Sequence, residues 1–148
     1  MKYDQSIIDN ALNHVREQIN SSEGDYATSP TPLKNLFTLR LALLEREEFH
    51  VCFMTNQHKI IATECLAMGT INAASVYPRE IVKRALQLNA AAVVVSHNHP
   101  SGTEEASQAD LALTERLTEC LKLMDITLLD HILIAGGKAI SFAETGKM

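Results

Sequence analysis

The chain has 148 residues, of which 46% are hydrophobic, so it is long enough for one buried core and too short for two ordinary domains. Its net charge of −5 repels a phosphate backbone, which makes nucleic acid the weaker of the expected partners. No apolar run reaches the ~18 residues of a membrane span, and the N-terminus lacks the apolar segment of a signal peptide, so we expect a cytoplasmic protein.

Two helices are predicted in the N-terminal third of the chain. The first covers about residues 4–20 and is followed by a polar Ser/Gly linker at Ser21–Thr31, after which a second helix runs to about Glu45. We therefore expect residues 1–30 to form an N-terminal helix and linker, and residues 31–148 to form the folded domain.

Strand and helix patterns alternate over the rest of the chain. They predict strands at 47–55 and 59–68 joined by an Asn56-Gln57 turn, a helix at 78–88, a strand at 91–96, a helix from Ser107 to about Met124, and two terminal strands split by Gly136-Gly137. This order predicts an α/β fold in which a mixed β-sheet is flanked by helices.

Two histidines follow the valine-rich strand. His97 and His99 are two residues apart, and strand side chains at that spacing share a face, so their rings can converge on one ion. The loop after Pro100 turns the chain back, and Asp110 in the first turn of the next helix can add a carboxylate. Two imidazoles and one carboxylate leave a fourth tetrahedral position open, which is typical of a catalytic zinc site. The sequence therefore predicts one Zn²⁺ per chain.

These residues also have a purely structural interpretation. Ser107 with Asp110 three residues later is typical of a capping box, and a histidine pair beside a loop is more often polar surface than a metal site. The combination favours the metal, because the histidine pair, loop, serine and aspartate lie within 14 residues at the end of a strand, where α/β proteins have their sites.

The same spacing resembles the signature of the JAMM (JAB/MPN) metalloproteases: His-x-His, seven residues, Ser, two residues, Asp. It is filled without a gap by His97, His99, Ser107 and Asp110. Within that superfamily, His-Asn-His-Pro-Ser-Gly resembles the RadC branch. Further blocks that resemble RadC follow in the same order: Arg46–Phe49, Gly69–Asn72, Tyr77–Val82, Asp130-His131 and Ser141–Glu144. The resemblance covers about Leu33 to the C-terminus and implies the JAB/MPN fold, a cytidine-deaminase-like sandwich.

Two features depart from the RadC pattern. Ala106 precedes Ser107 where the family usually has proline, which loosens the loop without removing a ligand. In full-length RadC proteins, a segment that resembles a helix-hairpin-helix motif precedes the JAMM domain. The first 30 residues of this chain are too short to form that motif. We therefore expect a short form that lacks this DNA-binding half.

The resemblance also implies roles for two further side chains. Ser107 stabilises the oxyanion, and a glutamate on an early strand accepts a proton from a zinc-activated water. We choose Glu47, because it shares a strand face with Phe49 and fits the RadC pattern Arg-Glu-x-Phe. Glu48 is the nearest alternative as the proton acceptor. The structural alternative is that Glu45, Glu47 and Glu48 form a solvated charge cluster at the end of the preceding helix.

The remaining histidines and cysteines are given structural roles. His131 is expected in the core or beside a ligand rather than on the metal. The other histidines are expected at the surface: His14, His50 and His58. The cysteines form no C-x-x-C motif, so we expect small buried residues and neither a disulfide framework nor a thiolate zinc site: Cys52, Cys65 and Cys120.

The activity implied is amide hydrolysis by a zinc metalloprotease, as a peptidase or isopeptidase acting on a protein or peptide. The alternative is a non-catalytic RadC-like module in DNA repair or protein binding. An intact ligand set together with Glu47 favours the hydrolase.

Overall fold

The computed structural model of the chain describes residues 4–21, 29–69 and 75–148. Most of the predicted linker at Ser21–Thr31 and the residues Thr70–Asn72 lie outside this part. The elements in chain order are α1 (Gln5–Ser21), α2 (Thr31–Leu41), β1 (Glu48–Met54), β2 (Ile60–Met68), α3 (Pro78–Gln87), β3 (Ala92–His99), α4 (Gln108–Lys122), β4 (Thr127–Ala135) and β5 (Lys138–Ser141). Of the helices in the described ranges, none has the length and apolar character needed to cross a membrane.

The five strands form one mixed sheet in the order β2-β1-β3-β4-β5. β3 and β4 run parallel, and the other neighbouring pairs are antiparallel. β1 and β2 form the predicted hairpin, whose turn is closed by a hydrogen bond of 2.8 Å from the Thr55 N–H to the Lys59 carbonyl. The mixed sheet and its flanking helices confirm the predicted α/β fold class.

Helices cover both faces of the sheet, and alternate strand residues enter different cores. The core against α3 and α4 takes Phe49, Val51, Phe53, Val93 and Val95 from the two central strands. The core against α1 and α2 takes Cys52, Met54, Ala92 and Val94 from them. By the same alternation, His97 and His99 lie on the α4 face and Asn98 lies on the opposite face.

Two element boundaries differ from the predicted ones. α2 ends at Leu41 rather than near Glu45, because residues 42–47 turn the chain towards β1, which begins at Glu48 and pairs with β3. β3 continues to His99 rather than ending at Ser96, because its main chain stays paired with β4 as far as Ala135. The histidines are therefore held by a strand and not by a loop.

Candidate metal centre

The two histidines of β3 lie side by side beneath α4. The His97 side chain is 2% exposed and that of His99 is 15% exposed, and their Nε2 atoms are 3.2 Å apart. Phe49, which pairs with His97 across β1 and β3, stacks on the His97 ring with a centroid distance of 6.5 Å. The two-residue spacing on a strand thus brings the rings together, as predicted.

Asp110 joins the two rings from the first turn of α4. Ser107 is the N-cap residue: its Oγ accepts from the Asp110 N–H at 3.0 Å, and Asp110 Oδ2 accepts from the Ser107 N–H at 2.8 Å. Burial by itself raises the pKa of Asp110, but the interaction with His97 and the hydrogen bonds from Ser107 outweigh it and hold this pKa well below its usual value. The predicted capping box therefore forms, and the Asp110 carboxylate that completes it also faces the two histidines.

The separations of the donor atoms suit a tetrahedral metal ion. With zinc–ligand bonds of about 2.0–2.1 Å, neighbouring ligand atoms are about 3.3 Å apart. Here the two Nε2 atoms are 3.2 Å apart, His97 Nε2 is 3.2 Å from Asp110 Oδ1, and His99 Nε2 is 3.4 Å from Asp110 Oδ2. The geometry needs little adjustment to accept an ion.

The hydrogen bond on the far side of His99 selects one tautomer of its ring. His99 Nδ1 lies 2.8 Å from the main-chain carbonyl of Thr103, which can only accept. Nδ1 therefore carries the hydrogen, and Nε2 keeps a lone pair. The tight turn that brings Thr103 back includes Gly102 at φ +84°, a left-handed conformation that glycine adopts without strain.

A longer chain of hydrogen bonds selects the tautomer of His97. The Thr114 hydroxyl donates to the Asp110 carbonyl at 2.8 Å, so it accepts from His131 Nδ1, which is 2.7 Å away. His131 Nε2 then accepts from His97 Nδ1 at 2.7 Å. His97 Nε2 is left with a lone pair directed at His99 and Asp110.

With these tautomers, the three side chains present only acceptors to one another. Two Nε2 lone pairs and a carboxylate face each other in a largely buried space, an arrangement that is costly unless a cation or a proton lies between them. Mixed imidazole and carboxylate donors suit zinc and other divalent transition metals. The residues present therefore fit the metal that the sequence predicts, and His97, His99 and Asp110 would hold it.

Replacing Thr114 by valine should weaken zinc binding about 10-fold, because His131 Nδ1 loses its acceptor and the ring no longer favours the tautomer that leaves His97 Nε2 free. Valine keeps the shape of the threonine side chain. Titration of zinc against a competing chelator measures the change. Thr118→Val is the control, since the Thr118 hydroxyl donates to the Thr114 carbonyl one turn earlier. Parent-like affinity in Thr114→Val would contradict the tautomer assignment.

The three candidate glutamates differ in exposure and in the face they occupy. Glu45 is exposed, and the Glu48 carboxylate is buried against His50 on the face away from the histidine pair. Glu47 is half-buried and immediately precedes β1. Alternation gives it the face of Phe49, whose pairing partner His97 is a candidate ligand. Glu47 therefore remains the candidate acid/base, and the solvated-cluster interpretation fits Glu45 but not Glu48.

A second group in the described part of the chain could hold a metal by distance alone: Glu48, His50 and Cys65. Its hydrogen bonds disfavour an ion. Arg40 Nε donates to His50 Nδ1 at 2.9 Å, so His50 Nε2 carries a hydrogen, which it donates to Glu48 Oε1 at 2.9 Å. Burial and the Glu48 charge raise the pKa of the Cys65 thiol, which disfavours the thiolate that a metal needs. This network is satisfied without a metal.

His50 corrects one prediction. It was expected at the surface, but it is 4% exposed and bonded at both ring nitrogens. Its partner Arg40 comes from α2, and no spacing rule indicates that contact. His14 is exposed, as predicted. Cys52 is buried, as predicted, whereas the other two cysteines are only partly buried: Cys65 and Cys120.

Acidification should destabilise the fold through its buried neutral histidines. Burial lowers the pKa of His50 and lowers that of His131 well below its usual range. The unfolded rings bind protons below about pH 6.5, whereas the folded rings take them up only at lower pH, so stability that is present above that pH falls as the pH drops below it. The slope has an upper limit of about 1.4 kcal/mol per pH unit for each ring. Urea unfolding in chelator, from about pH 7.5 to about pH 5.5, should show a shallower loss for His50→Gln than for the parent or His14→Gln, and equal slopes would contradict this account.

Sequence reasoning missed Thr114 and anticipated His131. His131 was expected in the core or beside a ligand, and it is fully buried and bonded to His97. Thr114 lies four residues after Asp110 on α4, a spacing that puts both side chains on one face of the helix. That spacing is the one local signal that could have indicated it.

Comparison with known proteins agrees with this geometry. The sequence model of a family described as a RadC-like JAB domain matches residues 27–147. Proteins named UPF0758 are similar to the chain over 142 residues, which are 96% of its length: those of Photobacterium profundum and Vibrio atlanticus are 46% and 47% identical, and that of Aliivibrio fischeri is 44% identical. The chain spans 62% of the length of each of these relatives, and their names state no activity.

The family match includes every residue of the candidate metal centre. It also relates the chain to the JAMM proteins through the JAB domain that both contain. The chain belongs to the RadC family, and a RadC-like JAB domain makes up most of its length.

Proposed function

We propose that this chain is a zinc-dependent hydrolase of the JAMM type that cleaves an amide bond in a protein or peptide, as a peptidase or isopeptidase. The observation that carries the proposal is the convergence of three lone-pair donors, from His97, His99 and Asp110, at distances suited to a tetrahedral ion. Membership of a JAB family supports it.

A zinc ion held by these residues supplies Lewis-acid chemistry, since it acidifies a water and polarises a carbonyl group. The chain supplies the proton transfers. Glu47 accepts the proton of the water as the water attacks the carbonyl carbon, and it returns that proton to the amine nitrogen as the C–N bond breaks. One carboxylate that stays in place can serve both steps.

Ser107 supplies a hydrogen-bond donor for the substrate. Its Oγ already accepts from the Asp110 N–H, which orients the side chain, and its own hydrogen can be directed at a substrate oxygen. A donor aimed at the carbonyl oxygen stabilises the negative charge that develops there during attack. The N-cap position therefore suits this role without any rearrangement of α4.

The alternative module in DNA repair or protein binding has less support. A net charge of −5 disfavours a phosphate backbone as ligand. A binding module also has no need for buried acceptors that face one another at metal distance beside an acid/base carboxylate. The charge disfavours nucleic acid as the ligand, and the donor set favours hydrolysis over binding alone.

A degradation screen tests the proposed function. Metal-free protein is incubated with a mixed peptide library and with lysine isopeptides, and the products are identified by mass spectrometry. We expect cleavage after one equivalent of zinc is added, loss of cleavage in excess chelator, and no cleavage by His99→Ala. Absence of any cleavage by protein that holds one zinc per chain would contradict the hydrolase and leave the binding module as the better account.

A further inference from the structure

Asn98 lies between the two histidines in sequence and is directed to the other face of the sheet. Its side chain is almost fully buried, with 2% exposure. Oδ1 accepts from the main-chain N–H of Glu48 at 2.8 Å, and Nδ2 donates to the main-chain carbonyl of Arg46 at 3.0 Å. The carboxamide thus holds the residue before Glu47 and the residue after it.

These bonds begin where the regular pairing of the two strands stops. The last paired residues of β1 and β3 in this direction are Phe49 and His97. Beyond them, the Asn98 carboxamide acts as a substitute peptide group, because it offers one donor and one acceptor to the neighbouring main chain. On the other side, the Glu47 carbonyl accepts from the Gly69 N–H at 2.9 Å. The main chain at Glu47 is therefore fixed at three successive residues.

Other side chains at position 98 cannot make this pair of bonds. Aspartate has the same shape but would direct a carboxylate oxygen at the Arg46 carbonyl, and alanine makes neither bond. Ser96, two residues earlier on the same face, makes a simpler contact: its hydroxyl donates to the Ile132 carbonyl of β4 at 2.6 Å. Ser96 therefore ties β3 to the neighbouring strand that lacks Glu47.

We propose that Asn98 is a positioning residue that holds the Glu47 carboxylate in register with the metal ligands, through the main chain on either side of Glu47. The inference rests on the proposed function for the role of Glu47. Asn98 is not assigned a contact with the substrate. It joins the segment that carries Glu47 to β3, which carries His97 and His99. Misplacement of a reacting group by about 1 Å costs on the order of 100-fold in rate.

A double-mutant cycle on peptide hydrolysis tests this role. Asn98→Ala should lower kcat about 100-fold with little change in KM or in zinc affinity. In a Glu47→Gln background, Asn98→Ala should have almost no further effect on kcat, because the carboxylate that it would displace is already absent. Ser96→Ala, which removes a buried cross-strand bond on the same face, should leave kcat near that of the parent. If Asn98→Ala lowers kcat equally in both backgrounds, the effect does not pass through Glu47 and the inference is overturned.

A second measurement does not depend on turnover. We expect the visible spectrum of the cobalt-loaded protein to change with pH as groups beside the metal ionise, and the pH midpoint of that change can be measured. If the Glu47 carboxylate lies beside the metal, its removal or displacement shifts this midpoint. We expect Glu47→Gln and Asn98→Ala to move the midpoint in the same direction, and Ser96→Ala to leave it unchanged. A midpoint that moves in Glu47→Gln but not in Asn98→Ala would overturn the inference, as would one that moves in neither.

The cobalt experiment also separates this inference from the proposed function. A parent protein that cleaves nothing would count against the hydrolase, while the cobalt midpoints would still decide whether Asn98 positions Glu47. Should Asn98→Ala fail to fold, Asn98→Asp takes its place in both experiments. It keeps the acceptor for the Glu48 N–H and replaces the donor to the Arg46 carbonyl by an oxygen that repels that carbonyl, so the main chain at Arg46 is released and the same direction of change is expected.

Discussion

Replacing Glu47 by glutamine should lower the rate of peptide hydrolysis by about 10²–10⁴-fold while zinc remains bound. Glutamine keeps the size of the side chain but cannot accept the proton of the attacking water. Because Glu47 is not among the three metal-facing donors, zinc affinity should stay close to that of the parent. The variant is compared with the parent by initial rates on a cleaved peptide and by a zinc titration.

Glu48→Gln is the matched control for this prediction. The two residues are adjacent, but the Glu48 carboxylate bonds to His50 and Arg46 on the opposite face of the sheet. Its substitution should leave the hydrolysis rate within a few-fold of the parent rate and should lower the melting temperature instead. The assignment of Glu47 would be wrong if Glu48→Gln lost activity and Glu47→Gln kept it.

Ser107→Ala should lower kcat by about 10²–10³-fold, because the variant loses a hydrogen-bond donor at the substrate carbonyl oxygen. It should also destabilise the fold by about 1 kcal/mol, since Ser107 is the N-cap of α4. The two effects are separated by measuring kcat well below the melting temperature of the variant.

Ser107→Asp distinguishes these two roles. Aspartate is a good N-cap and accepts the same N–H from residue 110, but it has no hydrogen to donate when ionised. It should restore the stability lost in Ser107→Ala and leave kcat low. Recovery of both stability and kcat in Ser107→Asp would contradict a donor role for the hydroxyl.

The local part of the site follows from the sequence because its geometry is local. The spacing of His97 and His99 has only one outcome on a strand, which is a shared face. The Ser107–Asp110 pair likewise marks the first turn of a helix, and the capping box forms as the pattern predicts. In both cases the positions of the side chains depend on a few neighbouring residues.

Contacts between distant segments could not be predicted in the same way. Arg40 meets His50 because α2 packs on one face of the sheet, and nothing in the sequence near His50 indicates that it is buried. The bonds from Asn98 to Glu48 and Arg46 span 50 and 52 residues. Such contacts depend on the order of the strands in the sheet, which periodicity alone does not give.

The ends of α2 and β3 also differ from the predicted ends, and the reason is physical. Helix propensity continues past Leu41, but the main chain of residues 46–48 is bonded to the Asn98 side chain and to Gly69 at the entry to β1. The polar residues after Val95 lack an apolar strand pattern, yet their main chain pairs with β4 through His99. Tertiary pairing decides both boundaries.

The zinc content of protein purified without chelator tests the central claim most directly. It is measured by elemental analysis for the parent and for the double variant His97→Ala with Asp110→Ala, and His50→Ala serves as the control at the second group of possible ligands. We expect about one zinc per chain in the parent and in His50→Ala, and none in the double variant. No stoichiometric metal in the parent, or metal that survives loss of His97 and Asp110, would contradict the account.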